Sequence, residues 1–276
     1  FPAHHEICSL SWSALSLWIL RGEYPMIQQF QLTLNALEGV RIPQAWAYRL
    51  YGWLMSQISS EFGDQMHLQG EHPIAHSLYF SQEKRASFWT INLLNDVARQ
   101  VISPVLESAK DIPLHELTLS VSEIRTFPAI SAEELICSGR SGSENRAKLT
   151  FLSPCAFKQS GRYAIFPQEN LLLQSLIAHW NVAFPEYALT DPDALRALQQ
   201  GLHIVDYNLH TTRYLLKETR IPSFLGNVTI EAHLAPPLLE LWNALLSFSP
   251  YCGVGIKTTL GMGGTTTAFQ KRNFCT

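Results

Sequence analysis

The sequence predicts an α+β fold made of two consecutive units of similar design. Three observations carry this reading. Apolar periods of strand and helix type succeed one another as strand, helix, strand, strand, helix, strand across residues 26–126. A polar break, Ser138 to Arg146, interrupts the pattern. A second run of strands and helices then fills the remainder. The first order is the split βαβ, or ferredoxin-like (RRM-like), order. The expected architecture is a tandem pair: residues 26–126 and residues 127–276, preceded by an appendage over residues 1–25.

Each element has a local reason. Gln29 to Leu37 alternates, with Phe30, Leu32 and Leu34 on one face, which predicts a strand. Pro43 opens a helix reaching about Ser60, whose stripe is Trp46, Leu50, Leu54 and Ile58. A loop from Gly63 to Pro73 follows, then strands at His76 to Phe80 and Ser87 to Leu94. Asn95 or Asp96 caps a second helix with Val97, Val101 and Val105 on one side, in spite of Pro104. Leu117, Leu119 and Val121 alternate in the closing strand. In the second unit, Arg146 to Leu152 reads as a strand ending at Pro154. Pro167 to Phe184 reads as a helix with Leu172, Leu176 and Trp180 in register. A helix near Asp193 to Gln200, strands around His203 to Leu216 and along "SFLGNVTIEAHL", and a helix headed by Pro236 and Pro237 complete it. In the appendage, Trp12, Leu15 and Ile19 share a helical face.

Composition narrows the function. The chain has 276 residues, 46% hydrophobic and 16% charged, which is ordinary globular composition. Its formal net charge of -3 excludes a bulk cationic coat for nucleic acid but leaves room for a local groove. Residues 1–145 carry 9 Lys and Arg against 15 Asp and Glu, whereas residues 146–276 carry 11 against 8. A polyanion is therefore expected to bind mainly through the second half. Five scattered cysteines without a Cys-x-x-Cys pair argue against a disulfide framework or a structural zinc site and fit a cytoplasmic setting. No apolar run is long enough to predict a membrane span. The chain begins at Phe1 rather than Met, which is compatible with a domain of a larger polypeptide.

Chemistry concentrates in three places. Gly253, Gly255, Gly261, Gly263 and Gly264 fall within twelve residues around Lys257. The segment is neither a Walker A loop nor a dinucleotide fingerprint. It is either a phosphate cradle of amides with Lys257 or a sharp connection that packs two sheets closely. His67, His72 and His76 stand in "MHLQGEHPIAHSLYF", but Pro73 breaks the pair that a shared helical turn would need, so no metal is expected. His67, at the edge of a loop after a helix, is the candidate for proton transfer. His76, on the following strand, is given no part in the chemistry. Tyr48 and Tyr51 on the preceding helix can each orient a phosphate through a phenol. Lys158 and Arg162, interleaved with Phe157 and Tyr163, combine charge and rings in the manner that suits RNA. Asp191 and Asp193 flank Pro192 as capping residues.

These segments together resemble Cas6, the CRISPR-associated endoribonuclease family that processes precursor CRISPR RNA. The resemblance lies in "QFQLTLNAL", "AYRLYGWLMSQI", "MHLQGEHPIAHSLYF", the "FLSP…GRY…FP" block and "CGVGIKTTLGMGG", across roughly residues 27–265. It implies a tandem ferredoxin-like fold and metal-independent cleavage of CRISPR repeat RNA, leaving a 2',3'-cyclic phosphate and a 5'-hydroxyl, with no cofactor. It implies His67 as the catalytic histidine and Tyr51 as an auxiliary group. His72 stands near the place where some members carry a lysine that this chain lacks. It implies RNA contacts at Gly253, Gly255, Gly261, Gly263 and Lys257, beside Lys158 and Arg162. The implied partners are the repeat RNA, a CRISPR effector complex, and a fused or associated reverse transcriptase–Cas1 module. The missing lysine and the acidic first half leave a second reading open, a catalytically inactive RNA-binding subunit of the same fold.

Overall fold

In the computed structural model, residues 25–36, 41–59, 73–115, 117–141 and 144–270 are described here. The first sheet contains β1 (Met26–Ala36), β2 (Ile74–Ser81), β3 (Ala86–Leu93), β4 (Asp111–Leu114), β5 (Leu117–Thr126) and the two-residue β6 (Ile130–Ser131). Its strands are antiparallel in the order β2-β3-β1-β5-β4, and β6 pairs with the start of β1. Helices α1 (Ala47–Ser56) and α2 (Asp96–Glu107) cover one face. A 3-10 turn, Gln44–Trp46, leads into α1. The core under them combines Phe30, Leu32 and Leu34 of β1 with Leu50 and Leu54 of α1 and Ile102 and Leu106 of α2. The alternation of β1 and the four-residue period of α1 therefore meet in one apolar layer.

The second sheet is antiparallel, in the order β10-β11-β7-β12, from β7 (Arg146–Cys155), β10 (Leu202–Leu216), β11 (Thr219–Ala232) and β12 (Thr265–Gln270). Its helices are α3 (Ala132–Ser141), α4 (Glu169–Ala183), α5 (Pro192–Gly201) and α6 (Pro236–Cys252). A small hairpin, β8 (Phe157–Gln159) with β9 (Arg162–Ala164), projects between β7 and α4. Ser160 and Gly161 form its two-residue loop with positive φ angles of 49° and 77°, the backbone that matches strand twist in a tight hairpin. Trp180, Phe184 and Phe248 pack ring against ring in the core.

Several expectations change. The buried stripe of α2 is Ala98, Ile102 and Leu106, one residue beyond the Val97 row, and Val97 is half exposed. The two stripes have the same period, and the row with Ile102 and Leu106 faces the sheet. Asn95 is the cap, accepting the Ala98 N–H. Helix α3 was not foreseen and runs into the polar break. Its signal is a capping box, in which Glu134 accepts the Ser131 N–H while Ser131 accepts the Glu134 N–H. The strands expected around His203 to Leu216 and along "SFLGNVTIEAHL" are both present and pair as one long hairpin over residues 202–232. Strand β12 was also missed, since Thr265 to Gln270 carries a weak apolar pattern. The α1 helix ends at Ser56, before the expected Ser60. The appendage lies outside the described residues.

The two units share an extensive contact. Gln44 Nε2 donates to the Leu152 carbonyl at 2.8 Å, and Asn92 Nδ2 donates to the Pro250 carbonyl at 3.2 Å. The larger core itself includes Ile27, Ala75 and Leu94 from the first unit.

Candidate active site

The site takes shape where α1 and β2 of the first unit meet the glycine-rich segment of the second. That segment leaves α6 at Gly253, passes through a 3-10 turn at Thr258–Leu260, and enters β12 at Thr265. Four of its glycines have positive φ: Gly253, Gly255, Gly261 and Gly263. Space decides the matter further at two positions. A methyl on Gly261 would overlap Ala47 of α1, and one on Gly264 would overlap Ser77 of β2. Glycine is therefore required because the backbone of the second unit lies directly on the first.

The amides of the segment are largely occupied. Gly253 N–H donates to Ser249 O, Val254 to Gly263 O, Gly255 to Ser175 Oγ, Ile256 to Ala156 O, Gly263 to Pro154 O and Gly264 to Ser153 Oγ. Cys155 Sγ donates to Val254 O at 3.2 Å. The close-packing reading of the glycines therefore has a geometric basis, and a cradle of free amides at Gly253, Gly255 and Gly263 does not. What the segment turns outward is Lys257, exposed and held in the left-handed region at φ 58°.

Tyr51 stands on α1, half-buried, and its ring stacks on His76 with centroids 5.6 Å apart and planes 7° apart. Burial pushes its phenol above the ordinary range. His76 is fully enclosed. Trp89 Nε1 donates to its Nδ1 at 3.3 Å. Its Nε2 has no hydrogen-bond partner among the described residues. Burial lowers the His76 pKa to about 4, with the Thr259 backbone opposing. The imidazole is therefore neutral at neutral pH, and the Trp89 bond assigns its proton to Nε2.

A second histidine, half-buried, lies near the start of the segment. His179 of α4 has its pKa lowered by burial, the Gly253 backbone opposing, and its Nδ1 has no partner. Tyr214 of β10 donates to the Leu260 carbonyl at 2.6 Å. Lys217, at the turn of the β10–β11 hairpin, places its ammonium 5.6 Å from the centre of the Tyr48 ring on α1. Tyr48, offered beside Tyr51 as a phosphate-orienting phenol, is thus covered by a cation from the second unit.

The remaining predicted residues divide. Lys158 and Arg162 are both exposed on the β8–β9 hairpin, and Lys158 pairs across the strands with Tyr163, which is 44% exposed. Phe157 is core, packed near Phe224, so it is not a stacking platform. His67 and His72 lie outside the described residues. Sequence reasoning missed His76 and Lys217. The signal for His76 was its position between Ala75 and Ser77, small neighbours in a strand opposite a glycine-rich partner. Lys217 had no signal, because a hairpin turn says nothing of what its tip touches. Among the described residues no three His, Cys, Asp or Glu side chains form a metal-binding group. No described helix is long and apolar enough to cross a membrane.

Comparison with known proteins follows this geometry closely. A family model described as "CRISPR-associated endoribonuclease Cas6" matches residues 149–265, from β7 through the glycine-rich segment. The CRISPR-associated endoribonuclease Cas6 of Streptococcus thermophilus is 32% identical over 224 residues, covering 80% of this chain and 90% of the relative. The chain belongs to the Cas6 family. A Cas6 of Mycobacterium tuberculosis is 26% identical over 269 residues, covering 92% of this chain and 84% of its own. The backbone agrees: a solved Cas6 product complex superposes with a TM-score of 0.72 at 23% identity, covering 88% of this chain and 99% of that one. Thermus thermophilus Cas6 superposes with a TM-score of 0.70 at 21% identity, covering 90% and 100%. Membership in Cas6 supports an RNA-cleaving function.

Proposed function

We propose that this chain cuts CRISPR repeat RNA without a metal ion. The ribose 2'-oxygen attacks the adjacent phosphorus while the bond from phosphorus to the 5'-oxygen breaks. The products are a 2',3'-cyclic phosphate and a 5'-hydroxyl. One group removes the 2'-hydroxyl proton, another protonates the leaving 5'-oxygen, and nearby donors steady the phosphate. The observation that carries the reading is the similarity to a CRISPR-associated endoribonuclease along 90% of that relative's length. Both units are read as ferredoxin-like. In each sheet the spatial order of the four main strands is second, third, first, fourth, which supports that reading.

His67 is assigned to proton transfer. Its segment joins the end of α1 to the start of β2, the two elements that carry Tyr51 and His76. Tyr51, whose phenol is pushed up by burial, is a donor toward the phosphate and not a base. His72 is the candidate for the complementary proton. Lys257, Lys158 and Arg162 are the phosphate contacts, all exposed on the second unit. A CRISPR effector complex is the natural recipient of the cut RNA, whereas the comparisons give no support to a reverse transcriptase–Cas1 partner. The assay is single-turnover cleavage of end-labelled repeat RNA in EDTA, with a 2'-deoxy nucleotide at the cut site as control. One discrete cut is expected, blocked by the 2'-deoxy substitution. A strict need for a divalent metal, or cleavage of the 2'-deoxy RNA, would overturn the chemistry, and binding without any cut would favour the inactive subunit.

A further inference from the structure

We propose that His76 is a positioning residue of this site, a neutral imidazole that fixes the Tyr51 ring and the glycine-rich segment in one arrangement. The proposal rests on the reading of Tyr51 as a phosphate-facing donor. Four observations converge on it. The His76 ring stacks nearly parallel on Tyr51 from α1. Its Nδ1 accepts from Trp89 of the neighbouring strand β3. The Thr259 backbone lies beside its ring. Its Cε1 lies 3.4 Å from the point where a methyl on Gly261 would sit, so the ring forms part of the floor on which the segment rests. One side chain thus touches every element that must keep its place if Tyr51 and Lys257 are to face the same phosphate.

Stability alone does not explain a histidine here. A buried nitrogen without a full partner is unfavourable, and a leucine or phenylalanine would fill the space without one. A charged imidazole would be worse. Its second proton would stand on Nδ1, against the Trp89 N–H that now donates there. Among the described residues, the titratable side chains facing this place are Tyr51 from α1 and Tyr214 from β10, whose phenols are pushed up by burial, so neither supplies a compensating negative charge. What the imidazole does supply is direction: an acceptor for Trp89 of β3 and a flat face for the ring of Tyr51 on α1. Catalytic groups lose rate steeply when displaced by fractions of an ångström, so such a residue acts on the reaction without touching RNA.

The test separates positioning from packing. His76→Phe keeps a flat ring against Tyr51 and removes both nitrogens, and Trp89→Phe removes only the donor to Nδ1. At saturating protein, each variant is expected to lower the single-turnover rate constant about 10-fold or more with full reaction amplitude. The double variant His76→Phe with Tyr51→Phe is expected to fall little below the slower single one. A reduced amplitude with an unchanged rate constant would mean that His76 only packs, and would overturn the proposal. Nitrogen NMR of the RNA-free protein is expected to show Nδ1 bare and Nε2 protonated, and a protonated Nδ1 at neutral pH would overturn it. If wild type cuts nothing, the cleavage reading falls by itself. His76 is then judged on the backbone amides: shifts from Thr259 to Gly263 in His76→Phe support positioning, and their absence refutes it.

Discussion

A histidine changes character with its surroundings, and the two of interest stand nine residues apart in the sequence. His67 is read as the proton carrier, because an unperturbed imidazole titrates near neutrality. His67→Ala is expected to leave RNA affinity nearly intact and to slow single-turnover cleavage by about 10²-fold or more. Tyr51→Phe is expected to slow it less, since the phenol orients and does not transfer a proton. His76 is enclosed and neutral, and its effect appears in stability instead. Its folded pKa of about 4 lies below the ordinary 6.5. The unfolded chain therefore binds the extra proton first as pH falls. Stability associated with this residue is intact above about pH 6.5 and declines as pH drops toward 4, by something on the order of 3 kcal/mol at full extent. His179 shifts in the same direction. Urea unfolding between pH 8 and pH 4.5 is the measurement. A variant His76→Gln, which cannot titrate, is expected to flatten the slope, and an unchanged slope would count against a buried neutral His76.

At the level of elements, the glycine-rich segment is more a weld than an open cradle. Gly261→Ala sets a methyl against Ala47 at a φ of 94°, and Gly264→Ala sets one against Ser77. Both are expected to lower thermal stability and to weaken repeat-RNA binding together, because they prise the second unit from the first. Gly52→Ala on exposed α1 meets open space and is expected to be neutral or mildly stabilising, a control by the same melting experiment. The helix caps were legible at Asn95 and Asp191, each of which accepts N–H groups of its helix. The Ser131–Glu134 box was equally legible and was passed over inside a polar stretch. Most strands and helices could be read because alternation and four-residue periods are local. The occupied amides of the glycine segment could not, since the partners of Gly255 and Gly264, Ser175 and Ser153, lie 80 and 111 residues away. Composition gives glycine's freedom and is silent on what approaches it.

At the scale of the whole molecule, the charge asymmetry read from the sequence has a location. Lys158, Arg162 and Lys257 are exposed on the second unit, two on a hairpin and one on the segment that meets the first. Replacing any one by alanine is expected to weaken binding to many RNAs alike and to reduce the salt slope by about one unit at most. Unchanged affinity and salt dependence in all three variants, measured by filter binding across a salt series, would place the groove elsewhere. The pairing of units was legible in the order of elements, while their mode of contact was not. Asn92 bonding to Pro250 and Gln44 bonding to Leu152 join residues that no local pattern relates.

The position of β12 has a consequence for how the protein is made. It is the last described strand, yet it pairs with β7, the first strand of the second sheet, and it is preceded directly by the segment that rests on Ser77 and Ala47. A ribosome must therefore release residues beyond Gln270 before either contact can close. Until then β7 presents an open edge and the first unit waits without its partner surface. Chains stopped short of Gly253 would hold most of both cores and part of the seam, and still lack the segment that rests on Ser77 and Ala47. Termination before Gln270 is thus expected to yield compact, aggregation-prone products rather than partial enzymes, so that competence for RNA requires synthesis through β12.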